Sequence, residues 1–198
     1  MHRPVRGFLS SPLFGLALAV GATALVGWSA TLVMAKPPAP SESVAAFAVV
    51  ERVVSHPRCM NCHTAVGWPT QGDDRRRHTF NVMRGVDGRG ASGMKCTTCH
   101  QEKNQDAANV PGAKDWHMAP ASMGWTGLSG SALCKALLDP TKNGGRTGEK
   151  VIEHMRADGL VVWAWAPGGK RTAPSISHAK FIEAAEKWIK TGAQCPAG

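Results

Sequence analysis

The chain reads Cys59-Met60-Asn61-Cys62-His63 and, further on, Cys96-Thr97-Thr98-Cys99-His100. This is Cys-x-x-Cys-His twice, the attachment signature of haem c. The spacing has a physical reason. Two thiols three apart on one helical turn reach the two vinyl groups on one edge of a porphyrin and form thioethers. The histidine beside the second cysteine then aims its imidazole at the iron. On this reading Cys59, Cys62, Cys96 and Cys99 attach two covalent haems c, with His63 and His100 as proximal iron ligands. Other uses of paired cysteines fit less well. A zinc ribbon belongs to an intracellular chain and needs no histidine after both pairs. A thioredoxin-like pair needs an α/β pattern, which the sequence lacks. Disulfides closed within each pair would leave both histidines without a role.

Upstream of the first motif, residues 8–35 carry no charged side chain, while Arg3 and Arg6 precede them and Lys36 opens a Lys-Pro-Pro-Ala-Pro stretch. A positive start, an apolar run and the small-residue end Val33-Met34-Ala35 suit a secretory signal. The same run is long enough to cross a bilayer core of about 30 Å. Residues 1–35 are therefore expected to be a signal peptide or a membrane anchor, 36–43 a Pro-rich linker and 44–198 a di-haem domain. Either outcome places residue 36 onward in the periplasm, free or tethered to the inner membrane. In that oxidising compartment Cys134 and Cys195, which have no Cys-x-x-Cys partner, are expected to pair as a disulfide. Closing a loop of about 60 residues would stabilise the fold by roughly 4 kcal/mol. The alternative use, a cysteine thiolate as an axial ligand, is kept beside it.

Length and composition agree with one domain behind a targeting segment. Of 198 residues, 22 are Gly and 13 Pro, so turns and short helices are expected. Two porphyrins would supply apolar core that such a chain lacks. The formal charge of +9 raises nucleic-acid binding. Arg3 and Arg6 contribute two of those charges, and four haem propionates would bring the exported remainder to about +3. Basic residues are also scattered, apart from Arg75, Arg76 and Arg77. Nucleic acid is set aside.

Apolar spacing predicts a helix through Val44, Phe47, Val50 and Val54, capped by Ser41 or Ser43 and stopped at His56-Pro57. A second is expected at 131–138, with Leu133, Cys134, Leu137 and Leu138 on one side. A third starts near Thr147 or Gly148 and carries Val151, Ile152 and Met155. The clearest period is Phe181, Ile182, Ala185, Trp188 and Ile189, ended by Gly192. Residues 59–130 read mostly as loop and turn, and no strand alternation stands out. The expected class is mainly α: a loop-rich di-haem cytochrome c domain with short helices packed around two haems, behind the N-terminal signal or anchor helix.

The sixth ligand of each iron separates an electron carrier from a catalyst, because two strong protein ligands leave no open position. His78 follows His63 by fifteen positions on a loop. His117 sits in Trp116-His117-Met118-Ala119-Pro120, an apolar run that brings one imidazole inward. His154 shares a helix face with Val151 and Met155. These three and Met123 are the distal candidates. His56 is close to Cys59, and His178 reads as a solvated first-turn residue. Bis-histidine ligation keeps the potential low and methionine raises it. The methionines otherwise serve as core filler.

Three further features have plain explanations beside functional ones. Asn143 to Lys150 looks like a phosphate loop but lacks its Gly-Lys-Ser/Thr end, so a turn before a helix accounts for it. Arg75–Arg77 form a solvated loop or contact propionates or an acidic partner. Trp163-Ala164-Trp165 packs inward or contributes to a docking surface.

Gln71-Gly72-Asp73-Asp74 through His78, Arg84-Gly85-Val86-Asp87-Gly88, the second motif, Trp116 to Pro120, His154-Met155 and Trp163-Ala164-Trp165 form a wider pattern. Over about 56–196 it resembles small di-haem cytochromes known as isoquinoline 1-oxidoreductase-related subunits. The resemblance implies a carrier that takes electrons from an exported molybdenum hydroxylase and passes them to the respiratory chain. Any oxidoreductase activity would then belong to the partner. The competing classes are a peroxidase-like di-haem enzyme and a haem-based sensor, each with one open iron.

Overall fold

Ser41 opens the described part of the protein, residues 41–198 of a computed structural model. The expected signal or anchor at 1–35 lies outside it, as does all but the end of the expected linker. Ser41 itself caps helix α1 (Glu42–Val54), its hydroxyl accepting from the Val44 N–H at 3.3 Å. Helix α2 (Pro57–Met60) starts on the proline that stops α1, since proline suits a first helical turn and no later one. Helices α3 (Gly130–Leu138), α4 (Gly148–Ala157), α5 (Gly159–Trp163) and α6 (His178–Lys190) follow. Ser129, Thr147, Asp158 and Ser177 cap them, each accepting a backbone N–H of the first turn. Past α6, Gly192 takes a φ of +107°, which costs a glycine little.

Between α2 and α3 no α-helix forms. This stretch holds three two-stranded antiparallel ribbons: β1 (Thr70–Gln71) with β2 (Arg76–Arg77), β3 (Gly90–Ala91) with β4 (Met94–Lys95), and β5 (Lys103–Gln105) with β6 (Val110–Ala113). The expectation of a mainly α domain is thereby overturned. Helical turns hold 42% of the described residues. The ribbons left no alternation to read because strands of two to four residues are too short to show one.

Helices α1, α3, α4 and α6 do not wrap a cofactor space either. They pack on one another. Phe47, Val50 and Val53 of α1 meet Leu133 and Leu137 of α3, Val151 and Met155 of α4, and Phe181 and Trp188 of α6. Trp188 is fully buried, with its ring centre 5.0 Å from that of Phe47, and its indole N–H donates to the Gln194 carbonyl at 3.2 Å. A disulfide joins Cys134 of α3 to Cys195 in the tail after α6, with Cα atoms 5.6 Å apart. Among the described residues no helix is long and apolar enough to cross a membrane.

Candidate cofactor site

Each Cys-x-x-Cys-His folds as one helical turn. His63 N–H donates to the Cys59 carbonyl at 3.0 Å, and His100 N–H to the Cys96 carbonyl at 2.9 Å. That bond closes the turn on which both thiols stand. The first motif continues α2; the second is a 3-10 turn over Cys96–Thr98, presented by the β3–β4 ribbon.

Beyond the turn, both histidines meet the same surroundings. His63 Nδ1 donates to the Met123 carbonyl at 2.8 Å, and His100 Nδ1 to the Pro111 carbonyl at 2.7 Å. Trp125 stacks on His63 with ring centres 3.5 Å apart, and Trp116 stacks on His100 at 4.5 Å. A carbonyl on Nδ1 fixes the tautomer and leaves Nε2 as a lone pair, which is how proteins orient a metal-binding histidine. Burial pushes the His63 imidazole down to about 3 and lowers His100 too, against the pull of those carbonyl bonds, so both rings are neutral.

The Pro111 carbonyl owes its place to Gly112. A Cβ there would run into the Lys103 and Gln101 carbonyls, so only glycine lets β6 approach β5 this closely. Trp163 of α5 backs Trp116 edge-on, 4.9 Å between centres, and its indole N–H donates to Asn104. The 163–165 aromatics therefore pack inward.

All four motif cysteines are free, whereas Cys134 and Cys195 are bonded. Burial pushes the Cys59 thiol up to about 12 and Cys62 to about 11, with mutual repulsion among the thiols adding to it. Protonated, buried thiols are poor nucleophiles. Nor do they form a zinc ribbon: among the described residues no three His, Cys, Asp or Glu side chains converge as a metal cluster.

A cavity of about 750 Å³ opens beside the second motif, within the range of cofactor sites. Cys96, Cys99 and His100 line it, with His78 and His117, and Phe80, Val82, Met94 and Met118 supply apolar wall. The His78 and His100 ring centres are 5.9 Å apart, with their planes at 71°. Two imidazoles sharing one metal through bonds of about 2 Å stand roughly 6 Å apart in this measure. Room, donors and apolar wall fit a haem here. At the first motif the donors fit equally, but only Asn61 and Cys62 reach this cavity, and the Cys59 thiol faces the Val53 carbonyl at 3.5 Å.

Ring hydrogen bonds sort the remaining histidines. His78 gives Nδ1 to the Thr79 carbonyl at 2.8 Å and His117 gives Nδ1 to the Asp115 carbonyl, so each presents Nε2. His154 Nδ1 pairs with Asp158 at 3.3 Å, and that bond holds the Asp158 carboxyl down at about 2. His154 also lies close enough to His63 for their charges to interact. His56 Nδ1 instead accepts from the Arg58 N–H at 3.2 Å, which puts its proton on Nε2. His178 is no solvated residue: its Nε2 donates to the Met155 carbonyl at 2.9 Å and its ring lies on Trp165. Met123 stands behind His63, on the Nδ1 side, with its side chain in the helical core. It orients the imidazole from the side away from the free Nε2.

Sequence reasoning passed over two supports. Asn61 is buried, donates to the Gly72 carbonyl at 3.0 Å and accepts from the Thr70 hydroxyl at 2.7 Å. It thereby ties the first motif to the β1–β2 ribbon, whose end delivers His78 toward the second. Arg84, also buried, donates to the carbonyls of Thr64, Val66 and Ala119 with no carboxylate among its partners. It locks the loop after His63 to the loop that carries Met123. Arg84→Met should leave those acceptors unpaired and lower unfolding stability by about 2–3 kcal/mol, read by urea denaturation. The Arg75–Arg77 run is partly solvated: Arg76 pairs with Asp74 at 2.8 Å, and Arg77 lies over Trp68. Asn143, in the phosphate-loop look-alike, is buried and donates to the Leu137 and Arg146 carbonyls ahead of α4.

Compared with known proteins, the chain matches no family model, no curated protein and no solved structure. The functional assignment rests on the residues themselves.

Proposed function

We propose that the chain is a periplasmic electron-transfer protein holding two covalent haems c, one on each Cys-x-x-Cys-His. The observation that carries this is the duplicated histidine setting, with a carbonyl on Nδ1, a tryptophan on the ring face and Nε2 free at both motifs. Haem iron supplies reversible one-electron chemistry when bound. The chain's own residues hold and orient it. Cys59, Cys62, Cys96 and Cys99 attach it, His63 and His100 coordinate it, and Met123 and Pro111 keep the two Nδ1 protons. Trp125 and Trp116 fix the ring planes by stacking on their faces.

His78 would hold the iron of the second haem together with His100, and His154 is the candidate partner of His63. Closed irons favour a carrier over a peroxidase-like enzyme or a sensor. As a carrier it takes electrons from a dehydrogenase or hydroxylase, which the family resemblance makes an exported molybdenum hydroxylase, and passes them to a terminal acceptor.

Visible and near-infrared magnetic circular dichroism of the exported protein, oxidised and reduced, tests this reading. Two low-spin haems that ignore carbon monoxide and peroxide are expected. A high-spin haem that binds either would move the function to catalysis or sensing. His78→Ala should turn one haem of the two high-spin and open it to carbon monoxide, while His117→Ala leaves both low-spin. The opposite pattern would make His117 the ligand.

A further inference from the structure

One end of the cavity gathers the cations Arg58, Lys170 and Arg171 against the carboxylates of Asp73 and Asp106. Arg58 reaches it from α2 with a side chain only 2% exposed. One of its terminal nitrogens pairs with Asp73, but its Nε has no hydrogen-bond partner. Arg171 lines the same end, its guanidinium held by the carbonyls of Pro167, Gly168 and Asn109 and by no carboxylate. The two guanidinium groups are close enough to repel one another, and Arg171 is close enough to His100 to act on its charge. Lys170 adds a third cation. Asp73 is shared, because it also accepts from the Thr172 N–H at 3.2 Å. A buried guanidinium with an idle donor, beside a second one, is built to receive a planar anion.

We propose that Arg58 and Arg171 form a carboxylate clamp that holds a propionate of the haem attached at Cys96 and Cys99. The clamp rests on the two-haem reading above and adds to it a connection between the motifs. Arg58 immediately precedes Cys59, so a residue of the first motif's helix grips the group carried by the second. A cation held beside the ring favours the reduced iron, and its loss lowers that haem's potential.

The test is a spectroelectrochemical titration of the purified two-haem protein as wild type, R58Q, R58K and R171Q, each with and without added acetate at constant ionic strength. In R58Q and R171Q the midpoint of one haem should fall far enough to change its reduced-to-oxidised ratio about tenfold at fixed potential, about 59 mV for one electron. R58K keeps the charge and should fall less, and acetate should leave the wild type unmoved. R171Q, on a separate loop, carries the test alone if R58Q fails to fold. Two attached haems whose potentials stay put in both Gln variants overturn the clamp. A wild-type potential that follows acetate overturns it too, by showing a site for solution anions. A wild-type chain without attached haem defeats the two-haem reading instead.

Discussion

Exported wild-type protein, matured in a cell that makes c-type cytochromes, is expected to stain for haem on a denaturing gel and to hold two haems per chain. Cys96→Ala with Cys99→Ala should leave one. The size of this effect follows from what the thioethers do. Once Cys96 and Cys99 are gone, His100 can still coordinate, but denaturation strips a group held by coordination alone. The apolar wall of the 750 Å³ cavity then loses what covers it, so the variant should also unfold at lower urea. Cys59→Ala with Cys62→Ala is the matching experiment at the first motif, where His63 lies against Trp125. A wild-type chain with no stain would refute the assignment outright. A wild-type chain with a single haem, kept by Cys59→Ala/Cys62→Ala, would restrict it to the second motif.

Removing the disulfide comes next in size. Cys134→Ala with Cys195→Ala opens a loop of 61 residues, worth about 4 kcal/mol on the chain-entropy treatment. For a domain of this length that corresponds to a fall in Tm of roughly 8–16 °C. Three structures depend on the link. The tail after α6 caps Trp188 through the Gln194 carbonyl, the Gln194 N–H donates to Ser43 at 2.9 Å, and Cys134 is itself fully buried in α3. The double alanine variant is the right probe, since a chemical reductant would act on the iron as well. Haem content is expected to stay at two, because neither cysteine touches the cavity. An unchanged Tm would mean that the helical layer holds the tail without the bond.

The fold correction and the site share one physical cause. Signals that are local and periodic can be read along a chain. Ser41 and Thr147 announce helix starts because a cap needs only its own next turn. Phe181, Ile182, Ala185 and Trp188 announce a buried face because the helix repeats every 3.6 residues. The four thiols and two histidines of the paired motifs are likewise spelled out over five residues each. Cys134 and Cys195 were legible by remainder, as the cysteines outside those motifs.

Tertiary structure alone decided the rest. Every residue has a carbonyl, so nothing in the sequence marks those of Met123 and Pro111 as the ones that meet His63 and His100. Trp116 and Trp125 are two tryptophans among seven until the loops stack them on imidazoles. His78, His117 and His154 stood alike as candidates until ring hydrogen bonds and distances told them apart. Arg84 entered only as part of a wider pattern and its role could not be read, because its acceptors lie 18 to 35 residues away and are mostly backbone carbonyls. Ribbons two to four residues long carry this whole region, and their positions are set by contacts across the fold instead of by any pattern within a strand.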